Sequence, residues 1–126
     1  MRRLALPIVL LGLLAGCGGG DEETSKRSVT VKPNAVLKLA ADEYSFDPGR
    51  VTVTGAGEVT FRLRNVGSLA HNLRVERDGN DVGGTPSFPG GRTEEARVKL
   101  ESGAYTLVCT VGDHEQLGMT AELEVR

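Results

Sequence analysis

Cys109, His114 and Met119 fall within eleven residues near the C-terminal end, in the stretch Tyr105-Thr-Leu-Val-Cys109-Thr-Val-Gly-Asp-His114-Glu-Gln-Leu-Gly-Met119. Thiolate, imidazole and thioether together suit copper in both its oxidation states, and a trigonal His₂Cys set with a weak axial Met is the arrangement of electron-transfer copper. This stretch holds three of those four donors. The fourth must come from elsewhere, and the chain has one further histidine, His71, in Asn65-Val-Gly-Ser-Leu-Ala-His71-Asn72.

Other chemistries compete for the same residues. Alone, a histidine on an apolar face is most often a hydrogen-bonded core residue, and a buried cysteine is a small hydrophobe. Zinc accepts Cys and His, but thioether is a poor zinc ligand and no second thiolate or carboxylate motif accompanies the set. Nucleophilic Cys/His catalysis needs a group to orient His114 and an oxyanion site, and the sequence names neither. Copper is the reading that uses both histidines together with Cys109 and Met119, the only cysteine and methionine outside the leader and its boundary.

The elements that must position these donors read as strands. Val51-Thr-Val53-Thr alternates; so do Val59, Phe61 and Leu63 against Thr60, Arg62 and Arg64, the period-two pattern of half-buried strands. His71 is in phase with Leu73 and Val75, and Cys109 with Tyr105 and Leu107, so both fall on core-facing rows. Turn residues separate the runs at Asp47-Pro48-Gly49, Gly55-Ala-Gly57, Asn65-Val-Gly67 and Ser102-Gly103. The glycine- and proline-rich tract from Asp78 to about Arg92 reads as a long loop in which Phe88 has no assigned place. No credible helix exceeds a turn or two. The expected fold is an all-β Greek-key sandwich of about seven to eight strands.

The N-terminal segment is of another kind. Residues 1–16 have a basic start, a short apolar run and small residues at the end, an export signal rather than a membrane span. Leu14-Ala15-Gly16-Cys17 resembles the lipobox of bacterial lipoproteins, in which the cysteine is acylated and becomes the mature N-terminus. Residues 17–30 then read as a lipid-anchored flexible linker, and residues 31–126 as the folded domain. A lipidated Cys17 leaves Cys109 without a disulfide partner, and metal ligation is one explanation of an unpaired thiol in an exported protein. The formal net charge is −2, and −4 once Arg2 and Arg3 leave with the signal, so nothing points to nucleic acid.

In combination, Phe46-Asp-Pro48, Gly57-Glu-Val-Thr-Phe61, Asn65-Val-Gly67, His71-Asn72 and Tyr105-x-Leu-x-Cys109-x₄-His114-x₄-Met119 resemble the cupredoxin family of blue-copper proteins over nearly all of the folded part. The resemblance implies one type 1 copper ion with His71, Cys109 and His114 as equatorial ligands and Met119 as the axial one. It also implies that Asn72 ties the two ligand loops together near Thr110. The chain departs from many relatives in carrying Gly112-Asp113 where they have Pro-Gly or a similar pair.

The functional expectation is a monomeric electron carrier, lipid-anchored on the extracytoplasmic side of the cell membrane, serving redox protein partners. The alternative is a surface copper-storage or delivery module with the same ligands; a copper-free adhesive sandwich is a third class. An enzyme of the multicopper type needs more histidines and a second domain than this chain has, so no catalysis is expected. His114 is expected to be the ligand nearer solvent, with Leu69 and Leu117 forming an apolar docking patch.

Overall fold

The computed structural model describes residues 26–126. The export signal, the acylated Cys17 and most of the linker read from the sequence lie outside the described residues. Among the described residues no helix is long and apolar enough to cross a membrane.

Among the described residues ten strands form two sheets. They are β1 (Ser28–Val31), β2 (Val36–Asp42), β3 (Ser45–Asp47), β4 (Arg50–Val53), β5 (Gly57–Asn65), β6 (Arg74–Arg77), β7 (Asn80–Gly84), β8 (Thr93–Leu100), β9 (Gly103–Val108) and β10 (Thr120–Val125). One sheet has the order β1-β4-β10-β9-β6-β7 and the other β3-β2-β5-β8. The pairs β1–β4, β4–β10 and β2–β5 are parallel; the remaining strand pairs are antiparallel. The core is the meeting of two alternations. Leu37, Leu39, Val59, Phe61, Leu63, Val98 and Leu100 of one sheet face Val51, Val53, Val75, Tyr105, Leu107, Leu123 and Val125 of the other. A sandwich of this kind buries one face of its main strands and leaves charged side chains on the other.

The all-β sandwich agrees with the sequence reading, but the strand count exceeds the expected seven to eight. Three short strands account for the excess. β1 starts at Ser28, inside the span read as linker; its alternation is short and is preceded by charged residues, yet it gains a partner in β4. β3 was hidden within the approach to the Asp47-Pro48-Gly49 turn, where Phe46 supplies the single buried side chain of a three-residue strand. β7 lies inside the tract read as a structureless loop. Its residues are polar or glycine apart from the exposed Val82, so no hydrophobic period betrays it, and it pairs with β6 through the backbone at a register shift.

That tract also positions the site. Beyond β7, Thr85 pairs with Leu73 by a backbone bond of 2.8 Å and by its hydroxyl, which accepts from Leu73 N–H at 3.0 Å. Phe88 then exchanges backbone hydrogen bonds with His71, at 3.2 and 3.0 Å, and buries its ring in the core. The segment whose structure was least legible thus fixes the backbone of one candidate ligand.

Candidate metal centre

At one end of the sandwich three donors converge. His71 lies between β5 and β6, Cys109 follows β9 directly, and His114 sits in the loop between β9 and β10. One ligand atom from each lies within 4.8 Å of the others, and all three residues are buried. Cys109 Sγ is 3.8 Å from His71 Nδ1 and 3.5 Å from His114 Nδ1. An ion bonded at about 2.3 Å to sulfur and about 2.0 Å to nitrogen, at trigonal or tetrahedral angles, spans S···N edges of about 3.5–3.8 Å. The spacing therefore fits a single metal ion, and Cys109 is a free, buried thiol.

Met119 is fully buried beside this cluster. Its N–H donates to the His114 carbonyl at 3.1 Å, and its carbonyl accepts from Cys109 N–H at 3.2 Å. The loop from Cys109 to Met119 is thus closed on itself. Further turns within it link His114 N–H to Val111 O, Leu117 N–H to Asp113 O and Gly118 N–H to Glu115 O, at 2.9–3.1 Å.

The His71 loop is held differently, by side chains. Asn65, at the end of β5, is fully buried. Its amide donates to the carbonyls of Leu69 (2.9 Å) and Phe88 (3.1 Å), and its Oδ1 accepts from Gly67 N–H at 3.0 Å, an Asx-type turn. Asn72 joins the two loops. Its Nδ2 donates to Thr110 Oγ1 and its Oδ1 accepts from Thr110 N–H, both at 2.8 Å. The third brace is Glu43, in the turn between β2 and β3. Its Oε1 accepts from Leu69 N–H (2.8 Å) and Ser68 N–H (3.0 Å) and lies 3.0 Å from Nε2 of His71. The Leu69 N–H foremost, with His71, Asp42 and Ser68 adding to it against the cost of burial, lowers the Glu43 carboxyl to about 2.

The rings pack around the same point. His71 and His114 have centroids 4.9 Å apart, tilted by 54°, and the Tyr44 ring also packs on His114, at 5.0 Å and 59°. His71 has no exposed surface, whereas His114 retains 7%. Leu69 and Leu117 are exposed at 43% and 50%.

His71, Asn72, Cys109, Thr110, His114 and Met119, which the sequence singles out, are thus gathered at one end of the fold. Three contributors were not singled out. Glu43 and Tyr44 sit in a turn distant in sequence from any donor, and an exposed acidic residue in a turn carries no signal of its own. Asn65 was read as a turn residue only; the Asn-x-Gly pattern, which favours a side chain bonding its backbone two residues on, was the available sign.

The sequence profile described as copper binding proteins, plastocyanin/azurin family, matches residues 33–126. Among solved structures the chain is similar to an auracyanin from the photosynthetic bacterium Roseiflexus castenholzii, with 17% identity and a TM-score of 0.66 over 76% of this chain and 99% of that one. It is also similar to auracyanin A, a "blue" copper protein from Chloroflexus aurantiacus, with 22% identity and a TM-score of 0.63 over 79% of this chain and 100% of that one. Rusticyanin from Thiobacillus ferrooxidans gives 17% identity and a TM-score of 0.66 over 79% and 82% of the two chains. A search of curated protein sequences found no match.

Proposed function

The chain belongs to the plastocyanin/azurin family of copper-binding proteins, a cupredoxin of the blue-copper kind, and we propose that it is a membrane-tethered, extracytoplasmic, monomeric electron carrier whose single copper ion is held by His71, Cys109, His114 and Met119. The observation that carries this reading is the buried convergence of His71, Cys109 and His114 at distances that fit one ion. When bound, copper supplies one-electron cycling between Cu(II) and Cu(I).

The chain's own contribution is to keep the donors where they are in both states. His71 and His114 each direct Nδ1 toward the Cys109 sulfur. The paired Asn72–Thr110 bonds keep the loop bearing His71 and the loop bearing Cys109 and His114 from moving apart. Such outer bonds orient ligands and tune the metal. Burial of all three donors favours a carrier over the storage or delivery alternative, because metal exchange would require these loops to open.

The route for the electron follows from exposure. His114 is the ring nearer solvent, and Leu69 and Leu117 give the surface exposed apolar side chains on the two ligand loops. Exposed apolar side chains suit a small redox interface that forms and separates quickly. Leu117→Lys should slow transfer to a protein partner, because the new charge is desolvated at the contact, while leaving the copper spectrum unchanged.

Tethering rests on Cys17. Eight residues separate it from Lys26, a reach of at most about 30 Å. Cys17→Ser should release the protein from membranes into the soluble exported fraction; a wild type already found there would remove the tether.

The visible spectrum of the copper-loaded protein tests the central proposal. An intense thiolate-to-copper band at one copper per chain is expected, and Cys109→Ser should abolish it, since a serine oxygen cannot replace a polarisable thiolate. Unchanged colour in that variant would sink the proposed site. Met119→Leu should retain copper and raise the potential.

A further inference from the structure

We propose that Glu43 is a positioning residue of the copper centre: its carboxylate fixes the tautomer of His71 and, by its charge, strengthens that ring as a donor to Cu(II). This deepens the proposed function and rests on its assignment of His71 as a ligand. An ionised carboxylate has only acceptors. With Oε1 3.0 Å from Nε2, the proton of a neutral His71 therefore resides on Nε2. Nδ1 is left with its lone pair, facing Cys109 Sγ at 3.8 Å.

A neutral acceptor would fix the same tautomer. A full negative charge does more, because it draws the Nε2 proton toward itself and raises the basicity of the opposite nitrogen. The surroundings keep that charge directed at His71. The amides of Ser68 and Leu69 donate to the same oxygen, and among the described residues Glu43 pairs with no lysine or arginine; its side-chain contact is with the fully buried ring of His71. The fold also leaves room for it. A Cβ at position 67 would come within 2.5 Å of Oε1 and 2.7 Å of Oε2, so the carboxylate occupies space that only Gly67 leaves open. The ring that receives this charge is fully buried, where electrostatic interactions are less screened than in water.

A negative charge behind a ligand favours the more highly charged ion, so Glu43 should stabilise Cu(II) over Cu(I) and lower the potential. The experiment measures Cu(II) and Cu(I) affinities by chelator competition, and the reduction potential, for the full chain and for Glu43→Gln and Glu43→Ala. The Gln amide oxygen retains an acceptor for the three N–H groups but not the charge. Glu43→Gln should weaken Cu(II) binding about tenfold, at the lower end for an outer partner of a ligand histidine, with Cu(I) affinity unchanged. That tenfold change corresponds to a potential higher by about 59 mV for one electron. Glu43→Ala, which also loses the acceptor, should weaken Cu(II) binding about a hundredfold.

A purely structural role would lower the melting temperature of Glu43→Ala and weaken both oxidation states equally, leaving Glu43→Gln at wild type. Wild-type Cu(II) affinity and potential in Glu43→Gln overturn the inference, whether or not the alanine variant folds. His71→Ala separates the two possible failures. If it keeps the wild-type copper spectrum, the ligand assignment fails. If it loses the spectrum while Glu43→Gln stays at wild type, the role of Glu43 alone fails.

Discussion

The two loops that build the centre are stabilised in opposite ways. Residues 66–71 make up a loop held from outside, by the side chains of Asn65, Glu43 and Asn72, which belong to a strand end, a remote turn and the far border of the loop. Residues 109–119 wind on their own backbone, through bonds that run from Val111 to His114, Asp113 to Leu117, Glu115 to Gly118 and His114 to Met119. The first loop depends on the identity of a few side chains. The second depends on the shape of its chain, with Gly118 at a φ of +99° where other residues are strained. The difference teaches where single substitutions should be felt: beside His71 through lost hydrogen bonds, and beside His114 mainly through backbone conformation.

The largest effect is expected at Asn65. Asn65→Ala removes two donations and one acceptance at a fully buried position, leaving the Leu69 and Phe88 carbonyls and the Gly67 amide without that partner. Some of these groups can turn to water, so the net cost should be about 3 kcal/mol. For a domain of this size that lowers the melting temperature by on the order of 15 °C. A thermal or urea melt of the copper-free protein measures it, and a loss below about 1 kcal/mol would mean that the loop is held by something other than this side chain.

Next come one substitution in each regime. Asn72→Ala cuts both bonds to Thr110 and should cost about 1–2 kcal/mol, since the site is near the surface and water replaces part of the loss. Gly118→Ala removes no hydrogen-bonding group and nothing lies where its Cβ would go. It should nonetheless cost about 1–2 kcal/mol, because the positive φ strains any side-chain-bearing residue. Equal losses from a tie and from a torsion are what the comparison requires; a Gly118→Ala variant as stable as wild type would break it.

Acid should separate the loops without mutation. The folded Glu43 carboxyl is held at about 2, against an ordinary value of 4.5, first by the Leu69 amide. A depressed carboxylate contributes stability above its unfolded pKa, and the contribution is lost as pH falls through the folded one. In the copper-free protein the brace on Ser68 and Leu69 should therefore weaken between about pH 4.5 and 2. The backbone bonds of Gly118 and Met119 involve no titrating side chain. Amide hydrogen exchange, corrected for the intrinsic pH dependence, should show protection falling at Ser68 and Leu69 and holding at Gly118 and Met119. Parallel loss at all four would show that the loops open together.

The same division explains what was legible in the sequence. The candidate ligands His71, Cys109 and His114, which the fold brings together, and the inward rows Leu73–Val75 and Tyr105–Leu107 were readable, because residue type and period-two spacing are local properties. The Asn72–Thr110 bonds agree with what the family resemblance implied. Glu43 was not readable: its partner lies 28 residues away, and the pairing exists only because β2 and β5 run side by side and bring its turn beside the His71 loop. β7 escaped for a related reason, since Asn80, Asp81 and its glycines hold it by backbone pairing and by the exposed Arg74–Asp81 ion pair rather than by a buried face. Chemistry carried by side-chain type can be read along the chain; support supplied across the fold cannot.

The smallest effect is expected at the crest of the His114 loop, and there the comparison is sharpest. Glu115 and Gln116 are exposed, and the hydrogen bonds that shape their turn use main-chain atoms, the Glu115 carbonyl among them. Replacing both by alanine keeps every one of those atoms and introduces no residue at a positive φ. Surface changes away from caps, cavities and strained torsions stay within about 0.5 kcal/mol each. The double variant should therefore melt close to wild type, and the amides of Gly118 and Met119 should keep their protection. Removing Glu115 also deletes one acidic charge next to His114, so salt-dependent rates with a charged redox partner can change while stability does not. A loss above about 1 kcal/mol would mean that these side chains brace the loop from outside, as Asn65 and Glu43 brace the other.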